Sequence, residues 1–197
     1  MDARSGQVVK TLPVGKEPEG VGISPDGKAV YVTSENDGSV SMIETDDNNI
    51  VTSIKVGRRP RGIVFLPDGS RAYVTLENDG AVAVIDAAKH AVLRTIRFEG
   101  EGVKPMGMAV APDGKRIYVS TGRFGKVLVV DTTTEKVVGS IDVGGRPWGI
   151  AITPDGKTLY TANGPANDVS VADVASLKVT NKIKVGDRPW GVAILTR

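Results

Sequence analysis

The 197-residue sequence contains no cysteine. That excludes disulfides, thiolate metal sites, covalent c-type haem attachment and cysteine nucleophiles. It leaves the compartment open, since a protein can occupy an oxidising space without thiols. Histidine occurs once, at His90, and aromatic residues make up 5% of the chain. No apolar run is long enough to span a bilayer. A net charge of +2 is too near neutral to argue for nucleic acid or an anionic membrane. There is no serine nucleophile elbow, no phosphate loop and no aromatic-basic ladder for single strands. The acidic run Asp46-Asp47-Asn48-Asn49 reads as a solvated turn, because it lacks the spacing of a calcium loop. Met1 to Gly6 has neither the apolar core nor the cleavage pattern of a signal peptide. Taken alone, this implies a cytoplasmic protein. The repeat frame described next supports the alternative, that the true N-terminus, signal included, lies upstream.

What the chain does have is a period. Pro-x-Gly falls at Pro18, Pro60, Pro105, Pro147 and Pro189, with spacings of 42, 45, 42 and 42. Pro-Asp-Gly follows in the same rhythm at Pro25, Pro67, Pro112 and Pro154. Tyr31, Tyr73, Tyr118 and Tyr160 come next, and these are all the tyrosines.

Each period reads as four short strands. The first follows Pro-x-Gly (Val21 to Ser24, Ile63 to Leu66, Met108 to Ala111, Ile150 to Thr153, Val192 to Leu195) and is apolar throughout, which implies burial on both faces. Small residues at Gly22, Ala109, Ala151 and Ala193 let stacked sheets interdigitate. Pro-Asp-Gly makes a turn, proline presetting φ and glycine accepting a positive φ. The second strand carries the tyrosine. Asn36-Asp37-Gly38 and Asn78-Asp79-Gly80 are hairpin signals before the third strand. The fourth strand is more polar, for example Val179-Thr180-Asn181-Lys182-Ile183-Lys184. Polarity therefore rises from first strand to fourth. An all-β propeller of four-stranded antiparallel blades predicts this gradient, since inner strands line a crowded axis and outer strands face water. A β-solenoid is the competitor, but its rungs are usually shorter.

The unit Val-Gly-x-x-Pro-x-Gly, then Pro-Asp-Gly, then Tyr31-Val32-Thr33, Tyr73-Val74-Thr75, Tyr118-Val119-Ser120 and Tyr160-Thr161-Ala162, resembles the YVTN-family β-propeller repeat over essentially the whole chain. The resemblance implies kinship with archaeal surface-layer repeats, with propellers of quinoprotein catabolism and with haem d1 propellers, and more distantly with lactonase-like propellers. It implies a periplasmic or cell-surface location. The WD-repeat type does not fit, because the blades lack its terminal Trp-Asp pair.

The frame is incomplete. Repeats fall near residues 15–56, 57–101, 102–143 and 144–185, with part-blades at 1–14 and 186–197, within one domain over 1–197. Gln7 to Val14 matches a fourth strand, and Val192 to Leu195 a first, so eighteen strands are expected in an incomplete ring. Family members usually carry seven or so blades, roughly 300 residues. The expectation is a fragment that associates through exposed blade ends.

The Pro-x-Gly loops share one face with the connections from second to third strands. Their flanks vary from copy to copy. Arg59, Arg61, Lys104, Arg146 and Arg188 make the channel mouth basic, and Trp148 and Trp190, the only tryptophans, add flat surfaces. That set suits an anionic or aromatic ligand. The plain alternative is that the arginines cap local carbonyls and the tryptophans pack beneath their neighbours. Three extra residues within Arg97 to Val103 lie on this face too, as a functional loop or a neutral length change. His90 falls in a turn on the opposite face, at the position Thr134 takes in the next copy, and reads as a surface turn residue.

The functional expectation is a non-enzymatic scaffold or binding module, without catalytic residues, metal or cofactor, meeting a protein or a small anionic ligand at the channel face. The alternative is part of a propeller enzyme, either a quinoprotein- or haem d1-linked oxidoreductase or a lactonase. Haem d1 chemistry fits poorly, since such a domain needs axial and distal histidines.

Overall fold

The computed structural model describes residues 1–195. They form four antiparallel four-stranded sheets, each built from strands consecutive in the chain. Blade 1 is β1 (Pro18–Ile23), β2 (Ala29–Ser34), β3 (Ser39–Glu44) and β4 (Asn49–Lys55). Blade 2 is β5 (Pro60–Phe65), β6 (Arg71–Leu76), β7 (Ala81–Asp86) and β8 (Ala91–Arg97). Blade 3 is β9 (Met108–Val110), β10 (Arg116–Ser120), β11 (Lys126–Asp131) and β12 (Val137–Asp142). Blade 4 is β13 (Pro147–Ile152), β14 (Thr158–Asn163), β15 (Asp168–Asp173) and β16 (Lys178–Lys184). This is a partial β-propeller, and its sheets do not close a ring.

The strand count is sixteen among the described residues, not eighteen. Residues 7–14 and 192–195 run without a sheet ladder. A strand exists through its neighbour, and neither segment has a laddered strand beside it. Side chains fasten the first segment instead. The Ser34 hydroxyl and, at 3.0 Å, the Ser41 hydroxyl donate to the Val14 carbonyl.

The local chemistry explains each blade. Gly27 N–H donates to Ser24 O at 2.8 Å, closing the Pro-Asp-Gly turn with glycine at φ +72°. The inner strands carry a bulge across Pro-x-Gly, between Pro18 and Val21, Pro60 and Ile63, and Pro147 and Ile150. A bulge bends the strand and sharpens its twist, which aims the inner edge at the axis. There the motif's glycine is required by close approach. A Cβ on Gly62 would stand 2.7 Å from the Met106 carbonyl oxygen, and one on Gly107 2.6 Å from that of Trp148.

The same carbonyls receive the hydrogen bonds that join blades. Gly62 N–H donates to Met106 O at 3.1 Å, Gly107 to Trp148 O at 3.1 Å and Gly149 to Trp190 O at 3.0 Å. The hydroxyl that follows Tyr-Val adds a second fastening. Thr33, Thr75 and Ser120 donate to Arg61 O at 2.8 Å, Met106 O at 2.6 Å and Trp148 O at 2.6 Å, each in the next blade. The third residue of the Tyr-Val-Thr motif is thus an inter-blade clasp. In blade 4 the equivalent residue is Ala162, which has no hydroxyl, and the neighbouring Thr161 hydroxyl bonds within the blade to Asn163 Oδ1 at 3.0 Å.

The core lies between blades as three layers, one for each neighbouring pair. Tyr31, Tyr73 and Tyr118 are fully buried within them, whereas Tyr160, with no following sheet against its face, is half-buried. The expected burial of both faces of the first strand fails in β1, where no sheet precedes blade 1: Val21 and Ile23 are each 63% exposed. The outer strands are largely exposed, in keeping with the polarity gradient. The extra residues between β8 and β9 pack against blade 3, where Gly100 lies beneath the Phe124 ring and Val103 is buried.

Candidate functional site

The inner strands position a cavity of about 420 Å³ on the axis. Its lining follows one rule. The residue between proline and glycine of every Pro-x-Gly points to it: Glu19, Arg61, Met106, Trp148 and Trp190. Glycine backbone supplies the rest, apart from Val21. The repeated frame thus holds five variable side chains around one space. Of the seven residues expected at the mouth, Arg61, Trp148 and Trp190 line it. Arg59, Lys104, Arg146 and Arg188 each immediately precede the proline and do not line it. Glu19 and Met106 occupy the lining slot and were not among the expected residues. Reading the Pro-x-Gly column alone would have found them.

The mouth is not the free basic surface the sequence implied. Arg61 is mostly buried and meets three carboxylates: Nη1 lies 2.9 Å from Glu19 Oε1 and 2.7 Å from Glu35 Oε1, and Nε lies 2.7 Å from Glu77 Oε2. Arg59 Nε lies 2.8 Å from Glu35 and 3.1 Å from Glu77. Burial works to lower the Arg61 pKa, but the hydrogen bond it donates to Glu77 and the charges of Glu77, Glu35 and Glu19 hold it above the usual value. Two of the other cations have side-chain partners as well. Lys104 Nζ donates to Asn78 Oδ1 at 3.1 Å. Arg146 stacks over Trp148, its Cζ 5.8 Å from the ring centroid. Arg188 is exposed, its backbone N–H bonded to Asn167 Oδ1 at 2.9 Å.

Glu35 and Glu77 were missed because their signal sits in another column. They occupy matching positions two residues past Thr33 and Thr75, where the later repeats carry Gly122 and Gly164. In blades 2 to 4 the choice follows the lining residue of the same blade; blade 1 departs from it, since Glu19 and Glu35 are both carboxylates and share Arg61 of blade 2. Arg61 has Glu77 beside it, whereas a Cβ on Gly164 would stand 2.2 Å from the Trp148 ring. Glutamate neutralises a cation, and glycine makes room for an indole.

The opposite wall is apolar. The Trp148 and Trp190 rings lie 4.5 Å apart, tilted by 51°. Trp190 is 56% exposed and Trp148 packs beneath it. The buried Trp148 Nε1 and Arg146 Nε find no hydrogen-bond acceptor among the described residues.

On the far face His90 is more than a surface turn residue. Its Nδ1 lies 2.6 Å from the Tyr31 hydroxyl, linking blade 2 to blade 1. Burial, with Asp86 adding to it, pushes the Tyr31 phenol up to about 12. The matching residue in the next copy is Glu135 rather than Thr134, since His90 and Glu135 share the left-handed position of their turns, at φ 49° and 57°. The three-residue insertion lies after this turn, so the step from His90 is the full 45. Among the described residues no group of three or more histidine, aspartate or glutamate side chains is placed to hold a metal ion. None of the helical segments is long and apolar enough to cross a membrane.

The family model of the seven-bladed β-propeller lactonases matches residues 50–177, well over half the chain. The chain belongs to the lactonase family of seven-bladed β-propellers. Among solved structures, this lactonase-family chain is similar to hydrazine synthase from Kuenenia stuttgartiensis, with 28% identity and a TM-score of 0.79. The match covers 90% of this chain and 51% of that one, so the chain spans about half the length of its structural relative. No curated protein matches the sequence significantly.

Proposed function

We propose that this chain is a non-enzymatic binding module, a propeller of the YVTN repeat type, whose site is the axial cavity. One observation carries the reading: the frame residues repeat while the five side chains facing the cavity are of four kinds, Glu19, Arg61, Met106 and the tryptophans Trp148 and Trp190. A space built only for packing would be filled with similar residues in each blade, as the tyrosine layers are. Here one wall is ion-paired and the other apolar, a combination that orients a ligand.

Both tryptophans of the chain sit at this cavity, so selectively excited tryptophan emission reports on it. Titration with a panel of small aromatic and polar compounds should give a saturable change in emission. Trp190→Ala should remove that binding while leaving the circular dichroism intact, because Trp190 is largely exposed. A saturable ligand that binds Trp190→Ala as well as the parent would place the site elsewhere.

The family match favours a second reading, lactone hydrolysis in the same cavity. Glu19 is the only carboxylate in the lining and would serve as the general base for water. Hydrolysis of a simple δ-lactone that is lost in Glu19→Gln would establish it. Equal rates in the two proteins would dismiss it.

A further inference from the structure

The charges around the axial cavity point to the class of its ligand, on the reading that this cavity is the binding site. We infer that the cavity selects a monocation with an apolar body, such as an alkylammonium or arylmethylammonium group, seated between Glu19 and the tryptophan wall.

Three carboxylates, Glu19, Glu35 and Glu77, surround two guanidinium groups, Arg59 and Arg61. The cluster therefore carries one uncompensated negative charge. Its location follows from the contacts. Glu35 and Glu77 are nearly buried, and each is shared by both arginines. Glu19 is paired with Arg61 alone, its side chain is 31% exposed, and it lines the cavity. The surplus charge thus faces the space a ligand would fill. An anion entering there would meet a guanidinium already saturated by carboxylates.

The facing wall suits a cation with hydrocarbon around it. Met106, Trp148 and Trp190 present soft, polarisable surface, and a cation over an indole face gains from the ring quadrupole. The outer cations do not reverse the balance inside. Lys104, bonded to the Asn78 amide, and the exposed Arg188 both lie outside the lining. Arg146 stacks against Trp148 and is not part of the lining. It occupies one indole, which leaves the half-exposed Trp190 ring as the open face.

The test compares three probes of similar size on the full chain by tryptophan fluorescence: benzyltrimethylammonium, benzyl alcohol and benzoate. Benzyltrimethylammonium should bind roughly fivefold or more tightly than benzyl alcohol, and benzoate should bind most weakly. Glu19→Gln should bring the cation down to the level of the alcohol without altering the circular dichroism. Equal binding of cation and alcohol, tighter binding of benzoate, or a Glu19→Gln variant that keeps the cation preference would each overturn the charge assignment while leaving the cavity as a site. Silence from all three probes would overturn the charge assignment and the cavity reading together.

Discussion

Trp148 lies against Gly164, so close that a Cβ on that glycine would stand 2.2 Å from the indole ring. The two residues belong to one blade, sixteen positions apart, and neither makes sense without the other. Gly164→Ala should therefore push Trp148 toward the cavity. We expect a shifted emission maximum and a loss of about 1–3 kcal/mol in urea unfolding. An unchanged spectrum and an unchanged midpoint would show that the ring has room to spare.

The ion cluster predicts a sharper response. Arg61→Met leaves three carboxylates with one guanidinium, and should cost about 2–4 kcal/mol, since breaking a buried pair from one side strands the other charge. Blade 3 already pairs methionine with glycine, as Met106 and Gly122. The double variant Arg61→Met with Glu77→Gly copies that pairing and should recover a good part of the loss. A double variant less stable than the single one would refute the pairing rule between the two columns.

The inter-blade clasp can be compared across blades. Thr75→Val removes a hydroxyl that donates to Met106 O and accepts from Gly62 N–H at 2.8 Å. We expect a loss of about 1–2 kcal/mol, with earlier hydrogen exchange at the junction of blades 2 and 3. The control is Thr161→Val, whose hydroxyl spans no blade boundary. Its effect should stay within blade 4. Equal exchange profiles for the two variants would argue against a clasp.

The buried phenols set the alkaline limit. Burial pushes Tyr31 and Tyr73 up to about 12, from an ordinary value near 10. A folded-state pKa raised above the unfolded one means that the protonated phenol is the form the fold favours. Their contribution is full below about pH 10 and is lost as pH rises through 12. Stability should therefore fall between about pH 10 and 12, together with phenolate absorbance. Tyr31→Phe should remove part of that fall, at the expense of the bond to His90. A flat stability profile across this window would show that the phenols titrate freely in the folded chain.

Much of the fold was legible because its causes are local. Proline and glycine set turns and bulges within a few residues, and the 42-residue rhythm repeats them. The site was only partly legible. Arg61, Trp148 and Trp190 were recognisable as variation within a constant frame. The pairing of Arg59 and Arg61 was not legible, because Glu35 and Glu77 lie 26 residues before Arg61 and 16 after it and meet it only in the fold. His90 was read as a surface residue because its partner Tyr31 is 59 positions away, across a blade boundary.

The sequence by itself determined that this is a propeller of stacked four-stranded blades, since period, turn chemistry and strand polarity are properties of neighbouring residues. Only the tertiary structure decided which flank of each Pro-x-Gly faces the axis and which cations are already neutralised. Those outcomes depend on how each Pro-x-Gly is seated against the next blade and on side chains that meet only when strands far apart in the chain are brought to one axis.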